Sequence, residues 1–205
     1  MLIRIVIAVL LLAVIAAGVF LFLRARRKRK DEADAAPPTP PKDPERAKRI
    51  AQLRSSLSAL VTEELRQLDA NVGGMPGRYA IPWCLVLGEK GAGQSTILQN
   101  TGLHIPFRGA SDQLAESANC RFYFYDKGVA IDLGAEIWRE EELFVHFCGL
   151  LRTARPKRPL DAVLVLIGAS SLVGDDKLPA EQIKAHSEIL YQRLQRLQQD
   201  VPLRR

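Results

Sequence analysis

Eight residues, Gly88-Glu89-Lys90-Gly91-Ala92-Gly93-Gln94-Ser95, carry the clearest chemical signal in the chain. They fit the phosphate-loop pattern G-x-x-x-x-G-K-[ST] at every fixed position except the lysine, where Gln94 stands. In such a loop glycines let backbone N–H groups turn toward phosphate oxygens, and the start of the next helix adds its dipole. The lysine brings a full charge to the β- and γ-phosphates, whereas a glutamine amide offers only neutral N–H donors. The pattern therefore predicts a phosphate-binding shape without its main charge, and no catalytic residue. If nucleotide binding is retained, it falls to Gly88, Lys90, Gly91, Gly93, Gln94, Ser95 and Thr96, with Lys90 the lysine that would have to swing in. The ligand would be ATP or GTP with magnesium.

Ser95 stands where a hydroxyl ligates magnesium, and Asp132 ends the apolar run Val129-Ala130-Ile131 as a second metal-site carboxylate would. A strand-terminal aspartate is also a common helix cap or turn residue, and both readings stand. Asp132-Leu133-Gly134-Ala135 places its glycine one residue earlier than the D-x-x-G of GTPases, which puts the γ-phosphate-sensing amide in doubt. Cys84, Cys120 and Cys148 form no C-x-x-C pair and read as buried, reduced side chains. His104, His146 and His186 have no neighbours at triad or metal-site spacing and read as structural or exposed.

The elements that would position these groups are legible. Ile81 to Leu87 reads as a buried parallel strand and Gln94 to Thr101 as a helix, so strand, loop and helix follow in order. Arg121 to Tyr125 and Val129 to Asp132 read as a strand pair around the turn Asp126-Lys127-Gly128. Trp138 to Leu151 reads as one amphipathic helix, Ala162 to Gly168 as the most strand-like run, and Ala180 to Gln199 as a polar helix with an apolar stripe. Arg152, Arg155, Lys157 and Arg158 read as a solvated helix end. Upstream, Ile50, Leu53, Leu57, Leu60, Val61 and Leu65 recur at helical spacing, predicting a lead-in helix over 44–72 that ends at the glycines before residue 77.

The amino terminus is of another kind. Ile5 to Leu23 is a charge-free run of 19 residues, about 28 Å as a helix, against a hydrocarbon core of about 30 Å. Six of the chain's 29 basic residues lie between Arg24 and Lys30, leaving 23 against 23 acidic ones, so the net charge of +6 marks a membrane flank and gives no support to nucleic acid binding. Residues 1–4 are then a short non-cytoplasmic end, 5–23 a transmembrane helix, 24–43 a basic, proline-rich linker, and the remainder cytoplasmic.

Together these pieces resemble the amino-terminal region of the IcmF/TssM family, the inner-membrane subunit of type VI secretion systems. The likeness rests on Pro82-Trp83-Cys84-Leu85-Val86-Leu87 leading into the glycine loop, on Asn119-Cys120-Arg121-Phe122-Tyr123-Phe124, and on Arg155-Pro156-Lys157-Arg158-Pro159-Leu160-Asp161 before the next strand. It implies a protein of the bacterial inner membrane in contact with the bilayer and with a DotU-like membrane subunit; family members often have a pair of transmembrane helices before this domain, whereas Ile5 to Leu23 gives this chain one, so it is expected to be single-pass. Family members are far longer, so residues 73–205 look like a truncated, degenerate P-loop NTPase-like domain, from a fragment, a shortened frame or a short paralogue, with possible self-association. The expected fold class is α/β, a mostly parallel, incomplete sheet with flanking helices behind one transmembrane helix. The expected function is a noncatalytic part of a secretion membrane complex. The alternative is an active membrane-anchored NTPase, either an ATPase or a small GTPase resembling the β subunit of the signal recognition particle receptor.

Overall fold

A computed structural model describes residues 43–173 and 177–201. The expected transmembrane helix at 5–23 and the linker up to residue 42 lie outside the described residues. The chain divides after Pro44, and the architecture below is that of the second unit. Among the described residues no helix is long and apolar enough to cross a membrane.

Helix α1 runs Pro44–Val72, with proline in the first turn, where a missing N–H costs nothing. It buries Ile50, Leu57, Leu60, Val61 and Leu68 along one stripe. A single turn, α2 (Met75–Arg78), leads into β1 (Trp83–Gly88). After the glycine loop come α3 (Gln94–Gln99), α4 (Asp112–Ala118), β2 (Cys120–Tyr125) and β3 (Gly128–Leu133). Then follow α5 (Ala135–Arg139), α6 (Glu141–Ala154), β4 (Ala162–Leu166) and α7 (Ala180–Asp200).

The four strands form one sheet in the order β2-β3-β1-β4. β1 pairs in parallel with both β3 and β4, and β2 is antiparallel to β3. This is the α/β class with a mostly parallel sheet and flanking helices. One face of β1, with Trp83, Leu85 and Leu87, packs into the main core with α1, α5, α6 and α7; the other, with Val86, meets Leu98 of α3, Tyr123, Tyr125 and Ala130. Central parallel strands are covered on both faces, which is why β1 reads as a continuous apolar run.

The single helix expected over 138–151 is two, since Glu140 takes an extended conformation between α5 and α6. The break turns Trp138 inward, where its indole N–H donates to the Gly88 carbonyl at 3.1 Å and so fastens the root of the glycine loop.

The basic cluster also departs from expectation. Arg152 and Lys157 are exposed, but Arg155 is fully buried. Its guanidinium lies 5.0 Å from the Trp83 ring centroid and 5.1 Å from that of Tyr79, and it donates to Asp161 at 2.9 Å. Arg158 pairs with the same carboxylate at 2.9 Å, and the Trp83 N–H donates to it at 2.8 Å. These contacts join the end of α6 to the starts of β1 and β4.

Candidate functional site

At the opposite end of the sheet, β1 stops at Gly88 and the chain turns through the loop. Gly91 and Gly93 have φ of +86° and +83°, conformations that a side chain disfavours, and Gly93 in the left-handed region caps α3. The Ala92 N–H closes the turn on the Glu89 carbonyl at 2.9 Å. Glu89 is held from outside the loop by Arg139 at 2.5 Å, with His186 of α7 at 3.8 Å from its carboxylate.

The loop, α3 and the end of β3 enclose a cavity of about 570 Å³ lined by Lys90, Gly91, Gln94, Ser95, Arg121 and Asp132, among others. Ser95 Oγ donates to Asp132 Oδ2 at 2.9 Å. Residues 37 apart in sequence are thus brought together, hydroxyl against carboxylate. Burial pushes the Asp132 carboxyl above its ordinary range, against the pull of the Ser95 hydrogen bond and the Arg121 charge. A carboxylate so poorly compensated gains from a cation beside it. Lys90 is exposed at the cavity wall, and Thr96 is exposed on α3.

Gln94 behaves as its chemistry dictates. Its side chain folds back on the loop's root: a Cβ on Gly88 would stand 2.8 Å from Gln94 Cδ, so that position admits only glycine while Gln94 lies there. Its amide nitrogen is buried without a hydrogen-bond partner. An unpaired buried donor costs about 1–3 kcal/mol, and an oxygen anion in the loop would satisfy it. Gly134 is committed elsewhere, since its N–H donates to the Asn119 carbonyl at 2.9 Å. A Cβ there would fall 2.0 Å from Asn119 Oδ1. The amide nearest in sequence to a γ-phosphate sensor is therefore spent on the turn before β2.

Sequence reasoning placed Gly88, Lys90, Gly91, Gln94, Ser95 and Asp132 near one another, and the fold brings them together. It missed the bracing of Glu89 by Arg139 of α5 and His186 of α7, and Trp138, which ties down the loop's root; partners 50 residues apart, and 97 for His186, leave no local pattern to read. His146 bonds Ser58 at 2.9 Å, and among the described residues no group of His, Cys, Asp and Glu could hold a metal ion by itself. A cation at Ser95 and Asp132 would need oxygens from a ligand.

Comparison with known proteins gives two matches. Residues 138–204, from Trp138 through α6, β4 and α7, match the IcmF-related N-terminal domain. The type VI secretion system component TssM1 of Pseudomonas aeruginosa is 31% identical over 170 residues, covering 75% of this chain. The chain belongs to the IcmF/TssM family. It spans about 15% of the length of that relative, and no solved structure matches it. The family-model match begins at Trp138, beyond the glycine loop and the cavity's polar groups.

Proposed function

We propose that this chain is a component of a type VI secretion membrane complex, and that its described unit is a degenerate P-loop NTPase-like domain serving assembly rather than turnover. Family membership and the likeness to TssM1 support the secretion role. The order strand, glycine loop, helix, with a strand-terminal Asp132 beside Ser95, supports descent from a nucleotide-binding site. The observation that carries the noncatalytic reading is the loop's furniture: a neutral amide at Gln94, folded onto Gly88, where phosphoryl transfer needs a fixed charge. Anchoring by residues 5–23, a cytoplasmic domain at the bacterial inner membrane and a DotU-like partner subunit complete the proposal.

The test is phosphate release from ATP and GTP, with magnesium, by the full chain in detergent. The expected rate equals that of a Ser95→Ala variant. Turnover that the variant loses would overturn the noncatalytic reading and favour the NTPase alternative, in which Lys90 at the cavity wall supplies the charge.

A further inference from the structure

A second cavity, of about 300 Å³, lies between the glycine loop, the end of β4 and α7, and it shares one wall residue, Lys90, with the cavity at Ser95 and Asp132. That volume stands at the small end of ligand cavities, which run roughly 300–1,000 Å³. Its walls are mostly carbon, from Trp138, Leu166, Leu172, Leu178, Ile183 and Leu190. Ile183, His186 and Leu190 are three and four residues apart and so share one face of α7. The helix thereby carries a single imidazole into an apolar stripe, opposite Glu89 of the loop.

That polar corner has a definite hydrogen-bonding sense. Arg139 Nη2 lies 3.0 Å from His186 Nε2. A guanidinium can only donate, so Nε2 accepts and the ring's proton sits on Nδ1. Nδ1 is 3.8 Å from Glu89 Oε1, too far for a direct hydrogen bond and a span that one atom bonded to both can bridge. Arg139 takes the other carboxylate oxygen, Oε2, at 2.5 Å, and no hydrogen-bond donor among the described residues reaches Oε1. The corner therefore presents one donor and one acceptor, each lacking a direct partner, at the edge of an apolar space.

The pairing selects the chemistry of a ligand. An ether or ketone only accepts and leaves Oε1 without a donor; an ammonium only donates and leaves the Nδ1 proton without an acceptor. A hydroxyl does both with one atom. We propose that this cavity is a binding site for a compact apolar molecule carrying one hydroxyl, a phenol being the simplest, whose oxygen accepts from His186 Nδ1 and donates to Glu89 Oε1 while its carbon body lies between Trp138 and α7. The inference stands whether or not the Ser95 and Asp132 cavity binds a nucleotide.

The experiment follows the Gly168 and Ser187 amide resonances of the full chain, ¹⁵N-labelled in lipid nanodiscs, against three probes of one shape: p-cresol, toluene and 4-methylanisole. Dialysis fixes each free concentration, so uptake by lipid does not enter the comparison. p-Cresol shifts both resonances and saturates near about 1 mM, at least about tenfold tighter than toluene, which has no polar group, or 4-methylanisole, which can only accept. In His186→Phe, which keeps a ring and removes the Nδ1 proton, p-cresol binds no tighter than toluene. Ile183→Trp fills the cavity and abolishes the shifts, with an unchanged urea midpoint showing that it is folded; where it is not, the His186→Phe comparison decides alone. N-acetyltyrosine amide binding as tightly as p-cresol makes a tyrosine side chain of a partner the source of the hydroxyl, and its exclusion makes the source a free molecule. The proposal is overturned by the absence of p-cresol shifts, by toluene binding as tightly as p-cresol, or by p-cresol binding that His186→Phe leaves intact.

Discussion

Two aspartates sit at opposite ends of the same sheet and meet opposite fates. Asp161, before β4, receives the Trp83 N–H and both Arg155 and Arg158; burial pushes its carboxyl up, but these donors and charges outweigh it and hold it below the ordinary range. Asp132, at the end of β3, has one hydroxyl partner, and burial leaves its carboxyl raised. The first carboxylate is saturated and joins three elements. The second is left with unused acceptor capacity facing a cavity. Saturation marks a structural joint, and an underserved charge marks a place where something else can bind.

The largest effect should come from breaking the saturated end. Arg155→Ala leaves Asp161 half-buried and underpaired and removes a cation stacked between two rings, and it should cost about 3–5 kcal/mol in urea unfolding. The pH dependence follows from the lowered carboxyl of Asp161: its contribution is present above the unfolded-state value and is lost as pH falls through the folded one. Asp161→Asn should therefore flatten the acid limb of the stability curve.

A third acid sharpens the contrast. Glu64 on α1 is buried, accepts the Ala110 N–H at 2.9 Å, and is raised from 4.5 to about 7, chiefly by burial. For a raised carboxyl the sign reverses: its contribution is full below 4.5 and is lost as pH rises through about 7. The loss is on the order of 3 kcal/mol. Glu64→Gln should abolish that slope, measured as the urea midpoint at intervals from pH 5 to pH 8.

Smaller still is the open end. Asp132→Asn should leave stability within about 1 kcal/mol at neutral pH, or raise it, because a desolvated charge is removed. A loss as large as that of Arg155→Ala would erase the distinction between the two ends. Ser95→Ala, which deletes one hydrogen bond, should cost about 0.5–1.5 kcal/mol.

The same contrast explains what the sequence disclosed. The glycine loop, β1, the β2–β3 pair and β4 were legible because apolar runs bounded by Gly and Asp are local signals. α4 was not, since Asp112–Ala118 has few apolar positions and its mark is a Ser111 cap, whose hydroxyl accepts the Leu114 N–H at 3.3 Å. The break at Glu140 was hidden by apolar spacing that continues across it. Arg155 was misread because a basic residue at a helix end is usually solvated. Its burial is decided by Tyr79 and Trp83, more than 70 residues away, and the nearer hint was Asp161 six residues on. The cavity groups were legible in kind, while the commitments of Gln94 to Gly88 and of Gly134 to Asn119 are products of packing.

The central claim is that the loop keeps a phosphate-binding shape and has lost the charge that made it useful. It is tested most directly by titrating the full chain and its Gln94→Lys variant with a fluorescent ATP or GTP analogue in the presence of magnesium. The account predicts no saturation of the native chain in the micromolar range, and a gain of at least about tenfold when the lysine is restored. Micromolar binding by the native chain that disappears in Ser95→Ala, or no gain with Gln94→Lys, would contradict it.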